Sequence, residues 1–234
     1  MNSTKHRVKM QKDNLYYSVK NNRKNIYRIF KLLSKNFGTK IQTELSYNNS
    51  YQLLVAIMLS AQATDKSVNN VVDELFKVLI KPEDAIKLGE KEINKYIKSI
   101  NYHNMKSKYI VKMSQQLIER FNGKVPNSFE YLISLAGVGR KTANLILSIY
   151  FEKQRIAVDT HVFRVSNRLG LANAKNPIET ERQLIKHIPQ SLHRQINNLL
   201  IPFGRKYCRA INPECKHCIL QKYCKQYKNK LSKN

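Results

Sequence analysis

The chain has 234 residues, with 42 Lys and Arg against 16 Asp and Glu, and a formal net charge of +26. This length suits one large domain or two small ones, and a hydrophobic share of 42% is enough to build a core. Only 7 Gly and 6 Pro argue against a turn-rich all-β fold, no apolar run is long enough to span a bilayer, and no lipidation motif is present. The charge favours a polyanionic partner, nucleic acid first and an anionic membrane surface second. Lys and Asn are abundant throughout, as at Asn21-Asn22 and Asn197-Asn198. Compositional drift therefore inflates the lysine count, and the charge supports a nucleic-acid reading without carrying it.

Residues 1–22 are polar, basic and poor in apolar residues, and they read as a disordered arm. A mitochondrial presequence fits less well, because such segments favour Arg over Lys and Asn. Beyond the arm, apolar residues recur at helical spacing, which predicts an all-α fold with short connections. Leu53 to Leu59 is apolar on every side and predicts a buried helix. One stripe follows at Val68, Val71, Val72, Leu75, Phe76 and Leu79, and a second at Ile93, Ile97 and Ile100. A third runs through Tyr109, Ile110, Met113, Leu117 and Phe121.

Residues 128–135 predict a short helix, and Arg140 to Tyr150 a second one with Ala143, Ile146, Leu147 and Tyr150 facing the core. Gly137-Val138-Gly139 between them predicts a tight turn, with Val138 anchoring it to the core. Glycines let backbone N–H groups approach a phosphate, and the following helix offers more unpaired N–H groups and the positive end of its dipole. This is a helix–hairpin–helix pattern, suited to gripping a nucleic-acid backbone regardless of sequence. A bare helix connection without a ligand is the plainer alternative. Lys141, in the first turn of the second helix, is electrostatically misplaced, since a helix N-terminus disfavours a cation. It suits either a phosphate contact or an amine nucleophile, which must shed its proton before attacking carbon.

Asp159 stands at a predicted helix start, with Val158, Val162, Val165 and Leu169 on the buried face and Gly170 at the end. It fits an ordinary N-cap and equally a carboxylate aimed at the lysine. All four cysteines, Cys208, Cys215, Cys218 and Cys224, cluster near the C-terminus with spacing C-x6-C-x2-C-x5-C. No signal peptide or secreted character is expected, which weighs against disulfides. Zinc usually takes two C-x2-C knuckles or a knuckle and a histidine pair, and only Cys215 and Cys218 form a knuckle here, with His217 a conceivable substitute ligand. An iron–sulfur cubane also wants four thiolates and tolerates uneven loops. Residues 228–234 read as a second basic tail.

Leu-Ser-Ala-Gln-Ala-Thr-Asp at 59–65, Leu-Ala-Gly-Val-Gly-Arg-Lys-Thr-Ala-Asn at 135–144, Ile-Ala-Val-Asp-Thr-His-Val-Phe-Arg-Val at 156–165 and the four cysteines fall in one register. Together they resemble the endonuclease III family, iron–sulfur base-excision DNA glycosylases with lyase activity. The likeness runs from about residue 23 to residue 227. It implies two helical lobes with a DNA groove between them. One is a six-helix barrel at 43–153 with the helix–hairpin–helix, and the other an iron–sulfur domain built from 23–42 plus 154–227. The resemblance makes the four cysteines ligands of a [4Fe–4S] cluster whose task is to stiffen the 208–215 loop. It makes Lys141 the nucleophile that displaces an oxidised pyrimidine, forms a Schiff base and cleaves 3′ of the abasic site by β-elimination. Asp159 then supports the sugar's positive charge or moves a proton. Gln62 fills the gap left by the everted base, and Asp65 lies near the DNA. Gly137, Val138, Gly139, Arg140, Thr142, His161 and Arg209 are implied DNA contacts. The implied partner is double-stranded DNA bearing damaged pyrimidines or abasic sites, met by a monomer in a bacterial cytoplasm.

Three departures matter. Ala136 replaces the family's usual proline, which costs the hairpin rigidity. Tyr102 stands where relatives carry a leucine wedge. Glu214 sits in a loop that is more basic in relatives, with Arg209 as the expected compensation. An adenine-excising relative shares the cysteines and the aspartate, but it lacks the lysine and carries a further C-terminal domain. A non-catalytic binder of bent or damaged DNA is the third reading.

Overall fold

A computed structural model describes residues 23–231, so the arm expected over 1–22 lies outside the described residues. Every regular element among them is helical, as the period of the apolar residues predicts. No helix among them is long and apolar enough to cross a membrane. The described chain divides into two units, one of residues 42–157 and one of residues 23–41 with 158–231.

The first unit carries α2 (Ser50–Leu59), α3 (Asp65–Val78), α4 (Pro82–Tyr96), α5 (His103–Phe121), α6 (Phe129–Ile133) and α7 (Arg140–Ile149). Helix α2 packs against α3, α5 and α7, and every residue from Tyr51 to Leu59 is buried. That explains why its sequence shows no polar face. Each leucine or isoleucine sealed there contributes about 1.5–3 kcal/mol. The one amide in this helix, Gln52, is buried at the end of α3, where its Nε2 donates to the carbonyls of Phe76 and Leu79. It thereby satisfies oxygens that α3 leaves without an intrahelical partner.

The apolar stripes land in the core, with local corrections. Ile97 and Ile100 are buried but lie beyond the end of α4, in the turn toward α5. Helix α4 is itself broken at Gly89, whose φ of 69° and ψ of 172° no helix tolerates. Tyr109 lies partly outside the core, for a reason given below. Tyr150 is also exposed rather than buried. Helix α6 is shorter than the expected 128–135, because the chain turns at Ser134 toward the hairpin.

The second unit holds α1 (residues 23–37), α8 (Thr160–Leu169), α9 (Pro177–His187), α10 (Gln195–Lys206) and α11 (Lys225–Leu231). Helix α8 is its hub, touching α9, α10 and α11. Helix α1 buries Ile26, Ile29, Phe30 and Leu33, and at its end the Phe37 ring meets Phe203 edge-on. Gly204 lets α10 approach α8 closely, because a Cβ there would come within 3.1–3.2 Å of His161, Val165 and Arg164. Helix α8 starts at Asp159 and stops at Gly170, with φ of 83°, as read from the sequence. Helix α11 runs to Leu231, through the first residues of the basic tail read at 228–234, and 232–234 lie outside the described residues.

Candidate functional site

The hairpin is fixed from two sides. Gly137 adopts φ of 73°, and a Cβ there would sit 2.8 Å from the Cβ of Tyr109. Tyr109 leaves the core because it forms the floor of this turn. Val138 is buried, so its side chain anchors the turn and is out of a ligand's reach. Its N–H donates to the Leu135 carbonyl. Ala136 donates its N–H to Gln116 Oε1 at 2.7 Å. A proline could not make that bond, so the alanine adds a tether where reduced rigidity was expected.

Gly139 is a different case. It has φ of −88°, and a Cβ there would meet nothing within 4 Å. No side chain caps α7, and Gly139, Arg140 and Lys141 are all exposed at its positive end. Arg140 lies over the Phe129 ring at 4.8 Å, with Arg155 also against that ring. Thr142 is half-buried one residue beyond Lys141. The turn therefore offers accessible backbone, an exposed amine and a braced guanidinium, a set suited to a phosphodiester.

Two further expected residues meet on one rim of the same unit. Gln62 and Tyr102 are exposed, and both have left-handed backbones, at φ of 57° and 61°. Asn101 Nδ2 donates to the Gln62 carbonyl at 2.9 Å, joining the two loops. Lys106 was missed by sequence reasoning. It is only 6% exposed, and its Nζ donates to the carbonyls of Leu59 and Ala61 at 2.8 and 2.7 Å. Burial lowers its pKa from the ordinary lysine value. Asp65, half-buried, opens α3, where an acidic residue complements the helix dipole and Thr64 caps.

In the other unit Asp159 caps α8, its Oδ1 accepting from the Val162 N–H at 2.7 Å. Both plain and functional readings of Asp159 remain compatible, since one carboxylate oxygen is enough for the cap. His161, two residues further on, has its Nδ1 3.0 Å from Arg164 Nη2. Arg164 also donates to the Cys208 and Gly204 carbonyls. Lys141 and Asp159 thus belong to different units.

None of the four cysteines is in a disulfide, each is half-buried, and all four line one cavity of about 420 Å³, counting its mouth, with Arg168, Leu169, Phe203 and Tyr207 among its walls. Burial first, then the neighbouring cysteines, push the Cys218 and Cys224 thiols up. Among the described residues no three or more His, Cys, Asp or Glu side chains converge on a point as a single metal ion requires. A single zinc needs its sulfurs about 3.8 Å apart, from bonds of about 2.3 Å in a tetrahedron. A cubane spreads its ligands over four irons, so thiols set around a cavity wall suit it better than they suit zinc. Arg168 clamps the loop that follows, donating to the Arg209 and Ala210 carbonyls at 2.6 and 3.0 Å and lying 3.6 Å from Cys208 Sγ. Arg209 is held by Glu214 at 2.6 Å and by the Asn212 carbonyl. The expected phosphate contact is thus engaged within its own loop.

The family model described as HhH-GPD superfamily base excision DNA repair protein matches residues 55–190. Endonuclease III of Rickettsia prowazekii (strain Madrid E) is 44% identical over 205 residues, covering 88% of this chain and 96% of that protein. Endonuclease III of Escherichia coli (strain K12) is 42% identical over 189 residues, or 81% and 89% of the two chains. A solved structure of a trapped endonuclease III–DNA covalent intermediate, an estranged-adenine complex, superposes with a TM-score of 0.82. It is 38% identical and covers 89% of this chain and 98% of its own.

Proposed function

Because this chain belongs to the endonuclease III family, within the HhH-GPD superfamily of base excision DNA repair proteins, and is thereby a DNA glycosylase, we propose that it excises oxidised pyrimidines from double-stranded DNA and then cleaves the strand as an abasic-site lyase. The observation that carries this reading is the hairpin. Lys141 stands exposed at the uncapped start of α7, beside a glycine whose missing side chain serves no contact within the protein. An amine so placed is brought to the sugar when the turn grips the neighbouring phosphates.

The damaged nucleotide leaves the stack, and Gln62 takes its place opposite the orphaned base. Unprotonated Lys141 attacks C1′, the Nζ–C1′ bond forms, and the glycosidic C1′–N bond breaks as the base departs with a proton. Ring opening gives an iminium, which acidifies C2′. Loss of the C2′ proton expels the 3′ oxygen and breaks the strand on the 3′ side. Asp159 supports the positive charge that develops on the sugar or relays one of these protons.

The 42–157 unit serves as the barrel lobe and the 23–41 plus 158–231 unit as the cluster lobe. Cys208, Cys215, Cys218 and Cys224 hold a [4Fe–4S] cluster, which supplies rigidity to the 208–215 loop. The protein acts as a monomer in a bacterial cytoplasm. Borohydride trapping tests the core of the reading. A covalent adduct is expected with abasic or oxidised-pyrimidine DNA and is expected to vanish in Lys141→Gln. An undiminished adduct in that variant removes Lys141 as the nucleophile, and no adduct from the unaltered protein removes the lyase.

A further inference from the structure

Outside glycine, five described residues have positive φ: Gln62, Tyr102, Asn122, Glu152 and Asn212. Asparagine tolerates this conformation, whereas glutamine and tyrosine are strained in it. Packing does not offset this at Tyr102, which is 64% exposed, and its side chain makes no capping bond at the start of α5. Strain kept at exposed side chains points to use.

The rim around these two residues is built to hold them. Lys106 is buried with its charge on the Leu59 and Ala61 carbonyls, where α2 ends and the Gln62 turn begins. A cation at a helix C-terminus is favourable there, and it fixes the turn leading to Gln62. Asn101, next to Tyr102, donates to the carbonyl of Gln62 itself. The first turn of α5 is in turn fastened to α4, because Asn94 contacts His103, Asn104 and Ser107. Two loops 40 residues apart in sequence are thereby locked at one edge.

We propose that Lys106 and Asn101 are positioning residues, a clasp that presents Gln62 and Tyr102 together as one probe pressed into the duplex at a lesion. Gln62 replaces the everted nucleotide, and the Tyr102 ring stacks beside the base left opposite. Neither Lys106 nor Asn101 touches the reacting sugar. The inference rests on the DNA-glycosylase/lyase reading, and its test separates the two.

The probe is a duplex carrying a stable tetrahydrofuran abasic analogue opposite 2-aminopurine, whose fluorescence rises when it is unstacked. The unaltered protein is expected to raise the signal on binding. Lys106→Met and Asn101→Ala are expected to cut that rise by at least about fivefold, as loss of hydrogen bonds from a buried charge or across the loops would allow. Lys106→Arg, which can still reach two carbonyls, restores it. Borohydride trapping on an abasic site in a single strand has no opposite base to displace, and stays within about twofold in all variants. A full fluorescence rise in both Lys106→Met and Asn101→Ala overturns the clasp. So does loss of single-strand trapping in a variant that melts normally. If Lys106→Met does not fold, the exposed Asn101→Ala decides. An unaltered protein that traps abasic DNA but leaves 2-aminopurine dark also overturns the clasp, and one that traps nothing overturns the functional reading instead.

Discussion

The hairpin at 135–143 and the loop at 208–215 are both exposed turns that present backbone to solvent, but they are held by opposite means. The hairpin is shaped by what is missing. A glycine without a side chain lies against Tyr109, an apolar Val138 is sunk in the core, and a single amide bond runs to Gln116. The other loop is shaped by what is added: two cysteines at its ends, Arg168 across its carbonyls, and an Arg209–Glu214 pair within it. A turn held by sterics needs no added group to keep its shape. A turn held by ligands and guanidinium groups is only as firm as those groups.

The largest effect expected from this contrast comes from Cys218→Ser. Loss of one proposed cluster ligand should cost about 4 kcal/mol or more, remove any brown colour, and open the 208–224 stretch to proteolysis while 42–157 resists. Colour and resistance both kept would mean the loop does not depend on a cluster. Next comes Gly137→Ala, where positive φ and the 2.8 Å approach to Tyr109 combine. A loss of about 2–4 kcal/mol is expected in denaturant melts. Gly139→Ala is its control: stability within about 0.5 kcal/mol, but weaker DNA binding, because a Cβ there meets only what the turn binds. If Gly139→Ala binds normally, the backbone at that position is not the phosphate contact. Arg168→Ala should cost about 2 kcal/mol by freeing two carbonyls, read as faster amide exchange at 209–212. The smallest effect belongs to Arg209→Ala. The salt dependence of DNA binding should hardly move, whereas Arg209→Ala made on a Glu214→Gln background should flatten the slope by about one unit.

The same contrast explains how much could be read in the chain. Helix α2, the Gly-Val-Gly turn, the Asp159 cap with its Gly170 stop, and the four cysteines each write their signal within a few neighbouring residues, and all were legible as elements or motifs. Periodicity gave the core faces of α3 and α5, yet it assigned Tyr109 and Tyr150 to the interior, because a period records a face without recording what a turn elsewhere needs beneath it. Lys106, Arg168 and Asn101 were invisible. In a chain with 42 Lys and Arg, nothing local marks which cation is buried or which one reaches a carbonyl some 40 residues away. Arg209 was placed on DNA by its neighbourhood, and its carboxylate partner five residues on was read as an obstacle rather than as its mate.

One consequence follows from the way the second unit is assembled out of two separated stretches. On the ribosome, α1 emerges before the 42–157 unit, yet the rest of the unit in which Ile26, Ile29, Phe30 and Leu33 are buried is encoded from residue 158 onward. The whole 42–157 unit can finish folding while that sticky helix still waits. Slowing elongation between about residues 160 and 210 should therefore lengthen the interval in which nascent chains associate with one another, and a chaperone that shields short apolar helices would find its target in α1 rather than at the cysteines.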